Sequence, residues 1–193
     1  MPAANDKIAV VIVAGGKATR LPGKLEIDAG GKPLLLRVYE NVKSIGPVYV
    51  SANRSFAPEI DAALECPVVI DRWPDRGPLA GLYSALAAVR EERVFAVAGD
   101  APFVDARTVL ELARHWEPGI QAVIPVNAAG RLEPLCALYD RMAVVNAAPA
   151  ILRESSGGVA LLVERLRSKR IRLPDERVFA NVNTPAERRA YLK

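Results

Sequence analysis

The run Val11-Ile12-Val13-Ala14-Gly15-Gly16-Lys17-Ala18-Thr19-Arg20 joins an apolar stretch to two glycines and then to bases, and Lys24 follows closely. Glycine lets a phosphate approach the main chain without a side-chain clash, and successive N–H groups form an anion-binding concavity. The segment therefore points to phosphate chemistry. In such chemistry charge builds on the departing phosphates, and cations and amides aimed there supply most of the catalysis. Arg20, Lys24 and Lys32, the last after Gly30-Gly31, are the candidate cations. The alternative reading of the same residues is a tight strand-to-helix turn with solvated bases.

Two familiar phosphate motifs do not fit. A Walker A loop needs a glycine five residues before its Gly-Lys pair and Ser or Thr after it. Val11 stands at that spacing from Gly16-Lys17, and Ala18 follows. A dinucleotide fingerprint needs G-x-G-x-x-G and an acidic residue near the end of the second strand. The chain has Gly15-Gly16 without that triplet, and its second apolar run ends Ser51-Ala52-Asn53.

Further candidates lie downstream. Asp100, in Gly99-Asp100-Ala101-Pro102-Phe103, follows a buried-type strand. One carboxylate there suits Mg²⁺, which takes one or two carboxylates together with phosphate oxygens and water. A turn or helix cap is the competing role. Asp105 reads as an N-cap rather than a ligand, because a helical pattern follows it. Asp71 and Asn53 are candidates for base or ribose hydrogen bonds, since an aspartate accepts both N–H donors of a guanine edge; turn residues are the alternative. Gly77-Pro78-Leu79-Ala80-Gly81 opens a helix whose first amides are free to meet a base or phosphate, or simply start the helix.

These residues need a scaffold that gathers them. Strand patterns cover 8–13, 48–52, 68–70, 94–98, 122–125 and 135–139; helical patterns cover 33–44, 57–64, 79–90, 105–115, 141–152, 159–166 and 185–192. Non-alternating apolar strands between helices predict an α/β fold with a mostly parallel sheet and helices on both faces. The strand at 135–139 follows its predecessor closely and predicts an antiparallel addition. In such sheets ligands sit at the carboxyl ends of strands. Gly15–Lys24, Asn53, Asp71 and Asp100 each follow a strand.

The 193 residues are 51% hydrophobic and 25% charged, which predicts one folded domain spanning 1–193 rather than disorder. The net charge of +4 is scattered and aromatic residues make up 6%, without the basic-aromatic interleaving of a single-strand platform, so nucleic acid is not an expected partner. Cys66 and Cys136 set no disulfide framework and both read as buried and reduced. The lone histidine, His115, excludes most zinc arrangements and reads as mid-helix, away from every motif. Residues 1–7 are short and polar, and no apolar run approaches the ~18–20 residues of a membrane span, so the expected location is cytoplasmic. The cluster Arg165, Arg167, Lys169, Arg170 and Arg172 reads as a solvated face, with a docking site for an acidic group or partner as the alternative.

Order and spacing of these motifs over nearly the whole chain resemble the molybdenum cofactor guanylyltransferase family. The matching residues are Val13-Ala14-Gly15-Gly16-Lys17, Arg20, Lys24, Gly31-Lys32-Pro33-Leu34, Asn53-Arg54, Asp71, Gly77-Pro78-Leu79-Ala80-Gly81 and Gly99-Asp100-Ala101-Pro102-Phe103. They continue with Arg131, Pro134-Leu135-Cys136-Ala137-Leu138-Tyr139 and Asn181-Val182-Asn183-Thr184-Pro185. The resemblance implies a Rossmann-like three-layer nucleotidyltransferase fold. It implies transfer of GMP from GTP to the terminal phosphate of molybdopterin or molybdenum-molybdopterin, with pyrophosphate leaving and Mg²⁺ as cofactor. The implied partners include proteins that supply and accept the cofactor in molybdoenzyme assembly, and neither nucleic acid nor membrane. Val13, Ala14, Gly15 and Gly16 are then expected to meet the nucleotide through backbone, and Lys24 and Arg20 the phosphates. Asn53, Asp71 and Gly81 are expected to help hold GTP, Asp100 to hold Mg²⁺, and Asn181 and Asn183 to lie on the pterin side.

Two departures from the family pattern stand out. The first loop reads Arg20-Leu21-Pro22-Gly23-Lys24, one residue shorter than the usual Arg-Met-Gly-x-Asp-Lys and without its aspartate. Gly157-Gly158-Val159-Ala160 stands where many relatives carry Arg-Ser after a glycine. A cytidylyltransferase acting on the same pterin and a non-catalytic nucleotide-binding cofactor-delivery protein are the alternative functions.

Overall fold

A computed structural model describes residues 7–14, 25, 32–73, 76–154 and 158–182. Residues Gly15, Gly16, Arg20, Lys24 and Asn183, and the helix expected at 185–192, lie outside the described residues.

The chain alternates strands and helices. The strands are β1 (Ile8–Val13), β2 (Val48–Ala52), β3 (Val68–Ile70), β4 (Arg93–Ala98), β5 (Ala122–Pro125), β6 (Cys136–Asp140) and β7 (Ser168–Ile171). The helices are α1 (Leu34–Val42), α2 (Pro58–Ala63), α3 (Pro78–Leu86), α4 (Ala106–Arg114), α5 (Arg141–Arg153) and α6 (Val159–Arg165), with a 3₁₀ turn at Glu176–Phe179. Among the described residues the strands build one seven-stranded sheet in the order β3-β2-β1-β4-β6-β5-β7. The pairs β1–β2, β1–β4, β2–β3 and β5–β7 are parallel, whereas β6 pairs antiparallel with both β4 and β5. This is the mostly parallel α/β architecture expected from the apolar runs.

Burial of β1 and β4 on both faces explains their unbroken apolar sequence. Ala9, Val11 and Val13 face one core with Leu79, Leu82 and Leu86 of α3 and Val144, Ile151 and Leu162 of α5 and α6. Val10 and Ile12 face the other, with Leu35 and Val38 of α1, Ile60 of α2 and Leu112 of α4. The alternation of neighbouring β1 residues between two cores makes the molecule three layers deep. Tyr139 on β6 is fully buried and its phenol donates to the carbonyl of Pro134 at 2.8 Å. A buried hydroxyl needs such a partner, and burial pushes its pKa far above the usual range.

The structure departs from the sequence reading at several points. Helix α3 stops at Leu86 rather than running to residue 90. The basic cluster is solvated, with Arg165, Arg167, Arg170 and Arg172 exposed, but part of it lies on a strand that the sequence pattern does not show. Ser168–Ile171 forms the parallel edge strand β7, Arg165 pairs with Glu154, Lys169 pairs with Glu117, and the Arg167 Nε donates to the Gly119 carbonyl. A short basic run without period-two alternation hides a strand, and charge on an edge strand is an expected protection against pairing. His115 caps the C-terminus of α4, its Nε2 3.5 Å from Glu111. Cys136 is buried as expected, but Cys66 is half-buried, and burial pushes its thiol up to about 11. No helix among the described residues is long and apolar enough to cross a membrane.

Asp105 is the N-cap of α4: its carboxylate accepts from the backbone N–H of Thr108 at 3.0 Å and from the Thr108 hydroxyl at 3.1 Å. Asp105→Ala is expected to lose about 1 kcal/mol of stability, read as a lower urea midpoint at constant slope. An unchanged midpoint would show that α4 starts without this cap.

Candidate functional site

Parallel pairing brings the carboxyl ends of β1, β2, β3 and β4 to one edge of the sheet. Val13 pairs with Ser51 on one side and Ala98 on the other, and Ala52 pairs with Ile70. The ladder runs one step beyond the strands. The N–H of Ala14 donates to Ser51, that of Gly99 to Val13 and that of Asp71 to Ala52, at 2.8, 3.0 and 2.8 Å. Main-chain hydrogen bonds thus fix Val13, Ala14, Asp71 and the approach to Asp100 relative to one another. Asn53 follows β2 at the same edge and is exposed. Gly15, Gly16, Arg20 and Lys24 follow β1 in sequence, outside the described residues.

The start of α3 presses onto this edge. Gly77 takes a positive φ of 70°, a conformation that favours glycine, and Pro78 occupies the first helical turn. Gly81 is buried against Ser51. A Cβ at residue 81 would fall on the Ser51 Oγ and lie 3.3 Å from both carboxylate oxygens of Asp71. Ser51 is fully buried and its hydroxyl donates to Asp71 Oδ1 at 2.8 Å. On the next turn of the chain, Ser84 Oγ accepts from the Arg72 N–H at 2.9 Å. Burial raises the pKa of the Asp71 carboxyl above its usual value, and the Ser51 hydrogen bond opposes that rise. The result is a half-buried carboxylate wedged against bare helix backbone, suited to a flat ligand that donates hydrogen bonds.

Asp100 is held differently. Its carbonyl accepts from the Val182 N–H at 3.0 Å, and the Asn41 side chain of α1 donates to the Pro102 carbonyl at 2.7 Å. The Asp100 turn is therefore clamped by α1 and by the segment carrying Asn181, which is exposed. Val182 packs with Leu34 and Leu25, which anchors that segment beside the turn. No group of three or more His, Cys, Asp or Glu residues among the described residues forms a metal cluster. One carboxylate at a strand end nonetheless fits a cation that completes its shell with phosphate and water.

The loop between β5 and β6 opens on the same edge. Asn127 accepts from the N–H groups of Ala129 and Arg131 at 3.0 Å and donates to Glu133 at 2.6 Å. Burial raises the pKa of the Glu133 carboxyl.

The structure brings Val13, Ala14, Asp71 and Gly81 together around Ser51, and Asp100 beside Asn181. Sequence reasoning missed Ser51, Ser84, Asn41 and Asn127. The usable signal was a polar residue inside an apolar element, in Val48–Ala52 and in Pro78–Leu86, since a buried hydroxyl must find a partner.

A mostly parallel sheet of this order, with acidic residues just past its third and fourth strands, has the architecture of a nucleotidyltransferase. The chain belongs to the MobA-like NTP transferase domain family, whose model matches residues 10–170. A molybdenum cofactor guanylyltransferase of Cereibacter sphaeroides is 33% identical over 184 residues, covering 92% of this chain and 91% of that one. The molybdopterin-guanine dinucleotide biosynthesis protein A of Archaeoglobus fulgidus shares the fold at a TM-score of 0.80 and 22% identity, over 95% of this chain and 96% of that one. A Mycobacterium tuberculosis H37Rv protein solved in complex with manganese shares it at 0.69 and 21% identity, over 96% and 98% of the two chains. The chain is thus a transferase of the nucleotidyltransferase type, related to enzymes of molybdenum cofactor biosynthesis.

Gly81→Ala is expected to cost about 1–3 kcal/mol by overpacking. The Ser51 hydroxyl can make room only by giving up Asp71. Adding Ser51→Ala removes the crowded atom and should recover part of the loss in urea denaturation. A Gly81→Ala protein as stable as the wild type would contradict the close approach of α3.

Proposed function

We propose that this chain transfers GMP from GTP to the terminal phosphate of molybdenum-molybdopterin, releasing pyrophosphate and forming molybdopterin guanine dinucleotide. One observation carries the reading: in a chain of this family, the Asp71 carboxylate is wedged between Ser51 and Gly81 on the sheet edge that also bears Asp100. In this reading residues 1–193 act as one nucleotidyltransferase domain in the cytoplasm.

Asp71 accepts the two adjacent N–H donors of guanine, and Asn53 hydrogen-bonds the nucleotide beside it. The backbone of Val13, Ala14, Gly15 and Gly16 lies against the nucleoside and phosphates, where glycine permits close approach. Gly81 leaves room for the base at the start of α3. The acceptor phosphate is already an anion at neutral pH, so attack on the α-phosphorus requires no strong general base. Two anions must meet, and the reaction therefore depends on alignment and charge neutralisation. Lys24 and Arg20 balance charge on the triphosphate. Asp100 would hold Mg²⁺, which when bound neutralises phosphate oxygens. The family likeness assigns Asn181 and Asn183 to the pterin side, and the tie of Val182 to Asp100 keeps Asn181 near that turn. Proteins that supply molybdopterin or accept its dinucleotide are the expected partners.

The test is pyrophosphate release with molybdopterin and Mg²⁺, offering GTP and CTP in parallel. Release with GTP alone is expected. Release with CTP instead would overturn the base assignment, and binding of GTP without release would favour a delivery protein. Asp100→Asn is expected to lower turnover by about two orders of magnitude or more with an unchanged melting temperature. Near-normal turnover would remove Asp100 from the metal role.

A further inference from the structure

We propose that Ser51 is a positioning residue for base choice: its hydroxyl holds the Asp71 carboxylate as a pure hydrogen-bond acceptor, so that the site takes guanine and refuses cytosine. The inference rests on the reading above that Asp71 meets the base.

The geometry leaves Ser51 little else to do. It is fully buried, and its Oγ donates to Asp71 Oδ1 at 2.8 Å. That oxygen occupies the space a side chain at residue 81 would need. The hydroxyl therefore fits only because residue 81 is glycine, and a serine buried in an apolar strand has a specific partner rather than solvent. Ser84 fixes the turn that follows by accepting the Arg72 N–H. Asp71 is thus held from β2 and from α3 at once.

The chemistry of the bases gives this arrangement a consequence. Guanine presents two neighbouring donors, N1–H and the N2 amine, which match the two oxygens of an ionised carboxylate. Cytosine presents one donor, the N4 amine, beside the N3 acceptor. An ionised carboxylate repels N3, whereas a protonated carboxyl matches cytosine by donating to N3 and accepting from N4–H. The protonation state of Asp71 therefore decides which base fits. Burial pushes Asp71 toward its neutral form, and the Ser51 hydroxyl opposes that. Among the described residues, the groups that meet Asp71 are Ser51 from β2 and Gly81 from α3, and both are neutral. Arg72, next in the chain, is exposed. Ser51 is thus the polar group that keeps the acceptor form.

Guanine binding needs ionised Asp71, so it is full above the Asp71 pKa and is lost as pH falls through it. Removing the Ser51 hydroxyl moves that pKa further up, and the loss begins at higher pH.

The test is equilibrium binding of GTP and CTP across the acid-to-neutral range for wild type, Ser51→Ala, Asp71→Asn and the double variant, with melting curves to confirm folding. Ser51→Ala is expected to weaken GTP about tenfold and to narrow the GTP-to-CTP ratio at a higher pH than wild type. Ser51→Cys, a weaker donor at the same position, should fall between them. In the Asp71→Asn background Ser51→Ala should leave the ratio unmoved. A wild-type ratio at every pH in Ser51→Ala, while Asp71→Asn loses its preference, would overturn the role of Ser51 alone. Retention of the GTP preference in Asp71→Asn would overturn the base-binding reading on which it stands.

Discussion

Backbone pairing of β1 with both β2 and β4 is the constraint on which the rest depends. Parallel pairing forces all three chains to leave the sheet at the same edge, and β3 joins them through β2. The ladder continues past the strands to Ala14, Asp71 and Gly99. Residues far apart in sequence are therefore placed by main-chain hydrogen bonds rather than by side-chain contacts. Such placement tolerates large changes in the loops, which is why this edge is where parallel sheets carry ligands. The two cores on either face of β1 then make the edge rigid, since neither layer of helices can shift without opening buried apolar surface.

Within that frame the site stores a conflict. A carboxylate at Asp71 is half-buried against helix backbone, which opposes its ionisation, and among the described residues the compensation is a neutral hydroxyl, that of Ser51. An arginine or lysine in place of Ser51 would ionise Asp71 more firmly but would also occupy the acceptor oxygens. A serine leaves lone pairs for a ligand. The same economy explains Gly81: any side chain there would displace the hydroxyl that steadies Asp71. The turn of Asp100 is held through carbonyl groups by Asn41 and Val182.

Much of this was legible in the sequence, for identifiable reasons. The bounds of β1 and β5 are legible because a strand buried on both faces is a continuous apolar run bounded by polar residues, and those of β2 and the edge strand β3 because short β-branched runs stand between turn residues. Asp105 was legible as a cap, because a helical pattern follows it immediately. The edge strand β7 was not, because Lys169 and Arg170 replace the apolar alternation by which strands are read. The clamps on Asp71 and Asp100 were not legible either. Ser51, Ser84 and Asn41 act through contacts 20, 12 and 61 residues distant, and no local pattern encodes such pairings.

The antiparallel strand β6 separates the parallel strands of the sheet into two sets. On one side the parallel set β3-β2-β1-β4 presents Asp71 and Asp100. On the other, β5 and β7 lie beyond β6 and bring the loop of Asn127 and Glu133 to the same edge. Had β5 paired directly with β4, that loop would stand one strand closer to Asp100, about 4.8 Å nearer. Inserting β6 widens the edge without adding a crossover, because an antiparallel return needs only a hairpin. The proposed reaction would join two large anionic molecules, and this width leaves room for nucleotide and acceptor side by side. The charged side chains along β7 then serve the outer boundary. Lys169 and Arg170 on an open edge oppose pairing with another sheet, so the widened sheet ends there.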